Sequence, residues 1–318
     1  MSMKGFESEQ ALVERIRRMA APVRGSGVVL GIGDDCAMFR QRGASEDLLF
    51  TTDLLVEDVH FQAETHRAGD VGWKALARGL SDIAAMGGEP RFCLVSLAVA
   101  KWAGKAWVDG FYRGLLRLAE RARVTLAGGD LAQGEKLTCD IVVCGSTPRG
   151  AALRRDGARK GDLIYVSGRL GGSALGLERG KGTAWRRHLR PEPRLALGRF
   201  LREVVRASAA MDLSDGVSLD LRRLCLASNL AAEIRMPPVF PGATGQQALH
   251  GGEDYELLFT VAPGRRVPRA FEGIPLTEIG VMRIGPPGSV LLEGELLEPL
   301  GYDHFRGKSK GSNVRMKS

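Results

Sequence analysis

Residues 71–99 read VGWKALARGLSDIAAMGGEPRFCLVSLAV, and the two halves of this stretch follow different periods. Trp73, Leu76, Leu80 and Ile83 recur at three- and four-residue intervals, which puts them on one stripe of a helix over Val71–Met86. Gly87, Gly88 and Pro90 punctuate it. Phe92–Val99 is then a short apolar run, the pattern of a buried strand. Outward from here the alternation continues. Upstream, Leu12, Val13, Ile16 and Met19 mark a helix over Ser8–Ala20, and Val28–Ile32 and Leu48–Thr52 read as strands. Downstream, Phe111, Leu115 and Leu118 mark a helix over Asp109–Ala122, and strands are expected at Val124–Ala127 and Leu137–Cys144. The turn-rich, charged stretch Thr147–Gly161 separates this half from a second one in the same style. There, strands at Leu163–Ser167, Ala209–Leu213 and Tyr255–Val261 mix with helices from Ser173, over Leu195–Val205 and over Val217–Ala227. The expected class is α/β (α+β) in two domains, 1–150 and 151–305.

Composition narrows the function. Of 318 residues, 44% are hydrophobic and 26% charged, which excludes a disordered chain and a disulfide-stapled miniprotein. Glycine is abundant at 42 residues, about twice the usual share of roughly 7%, so tight turns and close backbone approaches are expected. The net charge of +8 hints at nucleic acid, but five Lys/Arg and no Asp/Glu fall in the 306–318 tail, which leaves +3 for the rest. That tail reads as basic and disordered, and a nucleic-acid partner is not expected. No run of 18 apolar residues occurs, and MSMKGFESEQ lacks an apolar signal core. The expectation is therefore a cytoplasmic protein with no membrane partner. Five cysteines without a CxxC pair, and five histidines without HExxH, argue against a zinc enzyme.

The familiar nucleotide signatures are missing: no P-loop, no complete GxGxxG, no kinase HRD and DFG set. Instead, carboxylates recur beside strand ends and glycine turns. They are GIGDD (31–35), TTD (51–53), LSD (80–82), GGD (128–130), DLSDG (212–216) and GGED (251–254). A single Asp in a glycine turn is ordinarily a turn former. Six such motifs beside apolar elements suggest more, because gathering carboxylates is costly unless cations neutralise them. Hard divalent ions with oxygen ligands suit this set, and the hydroxyls of Thr51 and Thr52 beside Asp53 extend it. The residues alone point to a site that handles phosphate with several Mg²⁺ ions.

GIGDDCA, TTDLLVEDVHF, LSDIAAMGGEP, AGGD, RRHLRPEPR, MDLSDGVSLDL and GGEDYELLFT come in the order and spacing of the thiamine-monophosphate kinase family, and the chain resembles that family from about Ser8 to Phe305. The shorter pieces are shared across the aminoimidazole-ribonucleotide-synthetase-like superfamily. TDLLVEDVHF, RHLRPEPR and GGEDYEL, with a terminal GYDHF, look specific to the kinase. The resemblance implies a two-domain aminoimidazole-ribonucleotide-synthetase-like fold whose N-terminal sheets pair across a homodimer. It implies ATP-dependent conversion of thiamine monophosphate to thiamine diphosphate with Mg²⁺. By motif, Asp35, Thr51, Thr52, Asp53, Asp82, Asp130, Asp212 and Asp215 correspond to metal ligands. Of these, Asp35, Asp53, Asp130 and Asp212 carry catalysis through the metals, with no general base. Gly129, Asp130, Arg155 and Ser214 correspond to ATP contacts, and His60, Glu253 and Tyr302 to contacts with thiamine monophosphate. An aromatic face at Tyr302 and the Glu253 carboxylate would suit a thiazolium cation. Taken without the motifs, His60 is a core or loop histidine, Arg155 a solvated linker residue and Tyr302 a packing residue. Two positions depart from the family: Asp58 stands where Gly is usual, and Leu131 where Thr often follows GGD.

Two other readings stand beside this one. Another ATP-using member of the superfamily, acting on a ribonucleotide amide or on selenide, shares the short motifs. Selenide chemistry calls for a reactive Cys near the N-terminus, and the first Cys is Cys36, inside GIGDDCA. A non-catalytic Mg-nucleotide-binding or nucleic-acid-binding protein would be favoured by missing ligand carboxylates, and all are present.

Overall fold

The computed structural model describes residues 8–20, 23 and 25–305, so the basic 306–318 segment lies outside the described residues. The first half runs α1 (Glu9–Met19), β1 (Val28–Leu30), β2 (Ala37–Phe39), β3 (Glu46–Val56), α2 (Ala68–Ala85), β4 (Glu89–Ala100), α3 (Lys105–Ala122), β5 (Thr125–Gly134) and β6 (Thr138–Pro148). Its six strands form one sheet in the order β1-β2-β3-β6-β4-β5. All neighbours are antiparallel except β4 and β5, which are parallel and connected through α3. Helices α2 and α3 cover one face. Leu49, Leu55, Val95, Ile141 and Val143 point into the core there, beneath Leu76, Leu80 and Leu115. The alternation along β3 and β4 leaves Leu54 and Ser96 on the opposite, exposed face.

The second half runs β7 (Leu163–Ser167), α4 (Gly172–Arg179), α5 (Gly182–Leu189), α6 (Leu195–Phe200) with a π-helical turn (Leu201–Val205), β8 (Ala209–Asp212), α7 (Val217–Ala227), β9 (Ala231–Ile234), α8 (Gly245–His250), β10 (Leu257–Val261), β11 (Ala270–Phe271), β12 (Ile274–Arg283), β13 (Val290–Leu292) and β14 (Glu295–Leu296). Its sheet has the order β14-β13-β9-β12-β7-β10-β8, with β11 on β12. One core lies under α7, around Ile164, Leu221 and Leu258. Another lies under α6, around Leu201, Phe259 and Val261.

Helix α2 joins the halves. It packs on β3, β6 and α3 on one side and on α6 and β8 on the other. Two glycines permit this double grip. A Cβ on Gly114 would lie 1.9 Å from the Gly69 carbonyl, and one on Gly198 would lie 1.9 Å from the Ala84 carbonyl. A second joint comes from the RRHLRPEPR segment. Arg187 and Arg194 both reach Glu256, at 2.8 and 2.5 Å, Arg190 pairs with Asp70, and Trp73 donates its Nε1–H to the Pro191 carbonyl at 2.9 Å.

Two of the carboxylate motifs, TTD and GGD, do not sit at a strand end or turn as the sequence suggested, while LSD falls inside the expected helix. TTD is in the middle of β3, LSD in about the fourth turn of α2, and GGD within β5, which runs on to Gly134. The glycine-rich sequence reads as a turn because β5 is an exposed edge strand with no apolar alternation to reveal it. The short β2, β9, α5 and α8, and β11 to β14, carried too little periodicity to be read.

Candidate functional site

A cavity of about 830 Å³ opens between the halves. At its floor, Asp35, Asp82 and Asp212 bring carboxylate oxygens within 4.8 Å of one another. Each comes from a different element: the loop before β2, α2, and the end of β8. Asp35 and Asp212 are 8% and 2% exposed. Thr51 donates its hydroxyl to Asp82, and Ser81 donates to Asp212 at 2.6 Å. Arg155 is not a solvated linker residue. Its guanidinium lies 2.5 Å from Asp35, and its backbone N–H donates to Asp34 at 3.1 Å. Burial, and then the neighbouring carboxylates, push Asp82 and Asp212 well above the usual carboxylate range. Burial and Asp35 push Asp34 up to about 7. One guanidinium cannot neutralise four carboxylates at this floor. A set of hard, buried oxygen donors short of positive charge fits divalent cations such as Mg²⁺.

Along the wall, Asp53 meets Arg78 of α2 at 2.9 Å. The period of two along β3 puts Thr51 and Thr52 on opposite faces. Thr51 is buried against α2, whereas Thr52 is exposed and donates to Asp140 at 2.6 Å. The two hydroxyls therefore do not form one ligand set, as their adjacency in sequence suggested. Thr51 and Thr52 both line the cavity, but Gly129 and Asp130 do not. Asp130 pairs in register with Ser96, Ser96 with Asp140, and Asp140 with Leu54, all in one row across the sheet. Three strand spacings put Asp130 about 14 Å from β3. It lies exposed on an edge strand, where its carboxylate accepts the Leu131 N–H at 2.9 Å. Gly129 is held against β4 so closely that a Cβ would lie 1.9 Å from the Val95 carbonyl.

The far end of the cavity is built from His60, Glu253 and Tyr302. The Val56 N–H donates to His60 Nδ1 at 3.0 Å, so the ring carries its proton on Nε2. Burial, aided by Arg78, lowers the His60 pKa to about 3, so the ring is neutral. Glu253 adopts φ +63° and meets Lys74 at 2.7 Å. Burial works against its charge, yet Lys74 and His188 hold its carboxyl down to about 2. The Glu253 charge is thus already paired, not free to attract a cation as the sequence suggested. Tyr302 is 46% exposed, lies edge-on to His304, and donates its backbone N–H to the Asp215 carbonyl. Asp215 itself is paired with Arg223 at 2.5 Å, and Ser214 lines the same stretch of wall.

The family model described as AIR synthase related protein, N-terminal domain, matches residues 33–147. Thiamine-monophosphate kinase of Bacillus subtilis (strain 168) is 35% identical over 312 residues, covering 88% of this chain and 95% of that one. That of Escherichia coli (strain K12) is 38% identical over 306 residues, covering 87% and 92%. The chain belongs to the thiamine-monophosphate kinase family. A solved structure described as AaThiL complexed with AMPPCP and TMP matches with a TM-score of 0.83 at 34% identity, covering 94% of this chain and 97% of that one. The resemblance carried by the motifs therefore holds across the whole described fold.

As a member of the thiamine-monophosphate kinase family, the chain has further charged and polar groups at and behind the cavity to which the motifs assign no role. Lys74 and Arg78 share a stripe of α2 with Asp82 at intervals of four, a line of charge on an otherwise apolar helix that could have flagged them. His188 lies inside the quoted RRHLRPEPR motif but was given no role. Helix α1 also lines the cavity, through Val13 and Arg17 among others, although none of its residues is buried.

Proposed function

We infer that the chain transfers the γ-phosphoryl group of ATP directly to the phosphate of thiamine monophosphate, giving thiamine diphosphate and ADP. An oxygen of the acceptor phosphate bonds to the γ-phosphorus as the bond to the β-phosphate oxygen breaks. The acceptor oxygen is already ionised near neutral pH, so no general base is needed. The obstacle is repulsion between two polyanions, roughly 4 kcal/mol per pair of unit charges about 4 Å apart at an effective dielectric of 20. The observation that carries this reading is the cluster of Asp35, Asp82 and Asp212 at the floor of the cavity between the halves. Those three, with Thr51 and Asp53, would hold Mg²⁺, which supplies charge neutralisation and in-line alignment of the phosphates. Arg155 holds Asp35 in place and presents a fixed cation to the nucleotide. Ser214 and Asp215 line the cavity from the second half of the chain, next to Glu253 and Tyr302. His60 presents an uncharged N–H donor to the acceptor, and Glu253 and Tyr302 face its organic part.

Asp130 and Gly129 belong to the reading only if a second copy completes the site. Among the described residues no helix covers the sheet face opposite α2 and α3; Leu54 is exposed on it, and Val59 is exposed in the loop that follows β3. A homodimer that pairs these faces would cover them and carry Asp130 toward its partner's cavity. We place the reaction in the cytoplasm, where ATP is available. The five cysteines, all free and buried, suit a reducing compartment. No helix among the described residues is long and apolar enough to cross a membrane.

An ADP-release assay with thiamine monophosphate, thiamine and aminoimidazole ribonucleotide precursors tests the assignment. Turnover is expected with thiamine monophosphate alone. Turnover with an aminoimidazole precursor instead would transfer the chain to another branch of the superfamily.

A further inference from the structure

Lys74 is only 1% exposed and does not line the cavity. Lysine is almost never so buried without partners. An ammonium has three N–H donors and no acceptor, and this one lies against three oxygen and nitrogen atoms, the first of them as an ion pair. They are Glu253 Oε1 at 2.7 Å, the His60 carbonyl at 3.3 Å and His188 Nε2 at 3.5 Å. The three come from the loop after β3, the end of α5 and the loop before β10. Ser173 completes the group, with its hydroxyl 2.9 Å from His188 Nδ1. Glu253 Oε2 lies 3.4 Å from the same nitrogen. The His188 ring is held by stacking on Trp185, with centroids 5.1 Å apart and planes at 13°.

Two features show that this arrangement does more than stabilise. A buried ion pair is ordinarily no more stabilising than apolar residues of the same volume. Glu253 also sits at φ +63°, where a residue other than glycine is strained, so its conformation is imposed from outside. The contacts that impose it are its backbone N–H to the Ser214 carbonyl, at 2.7 Å, and Lys74.

We propose that Lys74 is a positioning residue that sets acceptor specificity: from behind the cavity wall, one ammonium fixes His60 from the first half of the chain and Glu253 from the second at the spacing the acceptor requires. This rests on the reading that His60 and Glu253 form the acceptor end.

Lys74→Met, Glu253→Gln and the double variant, assayed as full chains for KM of thiamine monophosphate, KM of ATP and kcat, test the inference. The double variant keeps side-chain volumes and leaves no unpaired buried charge, so it is informative even where Lys74→Met folds poorly. Losing a positioned partner in a buried polar group commonly costs about 10- to 100-fold, so Lys74→Met is expected to raise the acceptor KM at least about tenfold. The KM of ATP should stay within about twofold, and adding Lys74→Met to Glu253→Gln should change little further. Both KM values rising together, or effects that multiply in the double variant, would overturn the inference and leave Lys74 a structural residue. If Glu253→Gln acts on the acceptor and Lys74→Met does not, the inference fails alone. If Glu253→Gln leaves the acceptor KM unchanged, the acceptor reading of this end fails, and the inference with it.

Discussion

Asp58 departs from the family's usual glycine, and the backbone explains both residues. It sits at φ +65°, a left-handed position that glycine adopts freely and that Asp tolerates better than most side chains. Its carboxylate is exposed and paired with Lys136 at 3.0 Å, so it adds no uncompensated charge to the loop before His60. Leu131, the other departure, is 66% exposed on β5, away from the cavity floor. Tyr302 gives the sharpest single-residue test of the acceptor end. Its ring lines the cavity, is 46% exposed and is not part of any of the three cores. Tyr302→Ala should therefore leave the melting temperature nearly unchanged. Removing a cation–π contact costs about 0.5–2 kcal/mol, so the acceptor KM should rise roughly 2- to 30-fold. Steady-state kinetics at saturating ATP would check this, and an unchanged KM would remove Tyr302 from the site.

Among the elements, α2 and the RRHLRPEPR segment hold the two halves at the separation the cavity needs. Glu256 is the buried hub of that joint, fully enclosed and bonded to Arg187, Arg194 and Ser167. Burial alone would raise its pKa, but Arg194 and then Arg187 outweigh burial and lower it below the ordinary 4.5. A carboxylate with a depressed folded pKa adds stability that is fully present above its unfolded value and is lost as pH falls through the folded one. Glu256→Gln leaves two arginines without their counter-charge, and breaking one side of a buried pair costs about 3–5 kcal/mol. Urea unfolding should show that loss at pH 7, and the gap to the wild type should shrink as the pH is taken below about 4. A pH-independent gap would mean that the carboxylate charge is not what holds the joint. Gly114 and Gly198 act at the same scale, since any side chain there would push α3 or α6 off α2.

For the whole molecule the open question is how Asp130 reaches the chemistry. Within one chain it shares a row with Leu54 but stands three strands away. If a second copy supplies it, Asp53→Asn and Asp130→Asn should each be nearly inactive alone, since losing a transition-state contact costs about 10²–10³ in rate. Mixing the two variants under exchange should restore activity. Half of the dimers would then be mixed, each with one intact site, giving about one quarter of wild-type activity. No recovery on mixing, or a stable monomer by light scattering at micromolar concentration, would count against the shared site.

What the sequence determined by itself was local. Helical and strand periods identified the long elements, since burial of one face acts over a few residues, and motif spacing identified the family and the carboxylates of the floor. What it could not decide was which of these groups meet. Arg155 and Asp35 are 120 residues apart, and Ser81 and Asp212 are 131 apart. No local pattern encodes such a pairing, because a charge finds its partner only once both elements are packed. The same holds for Thr52, turned from Thr51 by the strand's period, and for Asp130, moved from the cavity by strand order. It holds also for Lys74, whose burial on α2 became intelligible only when Glu253 was found opposite it.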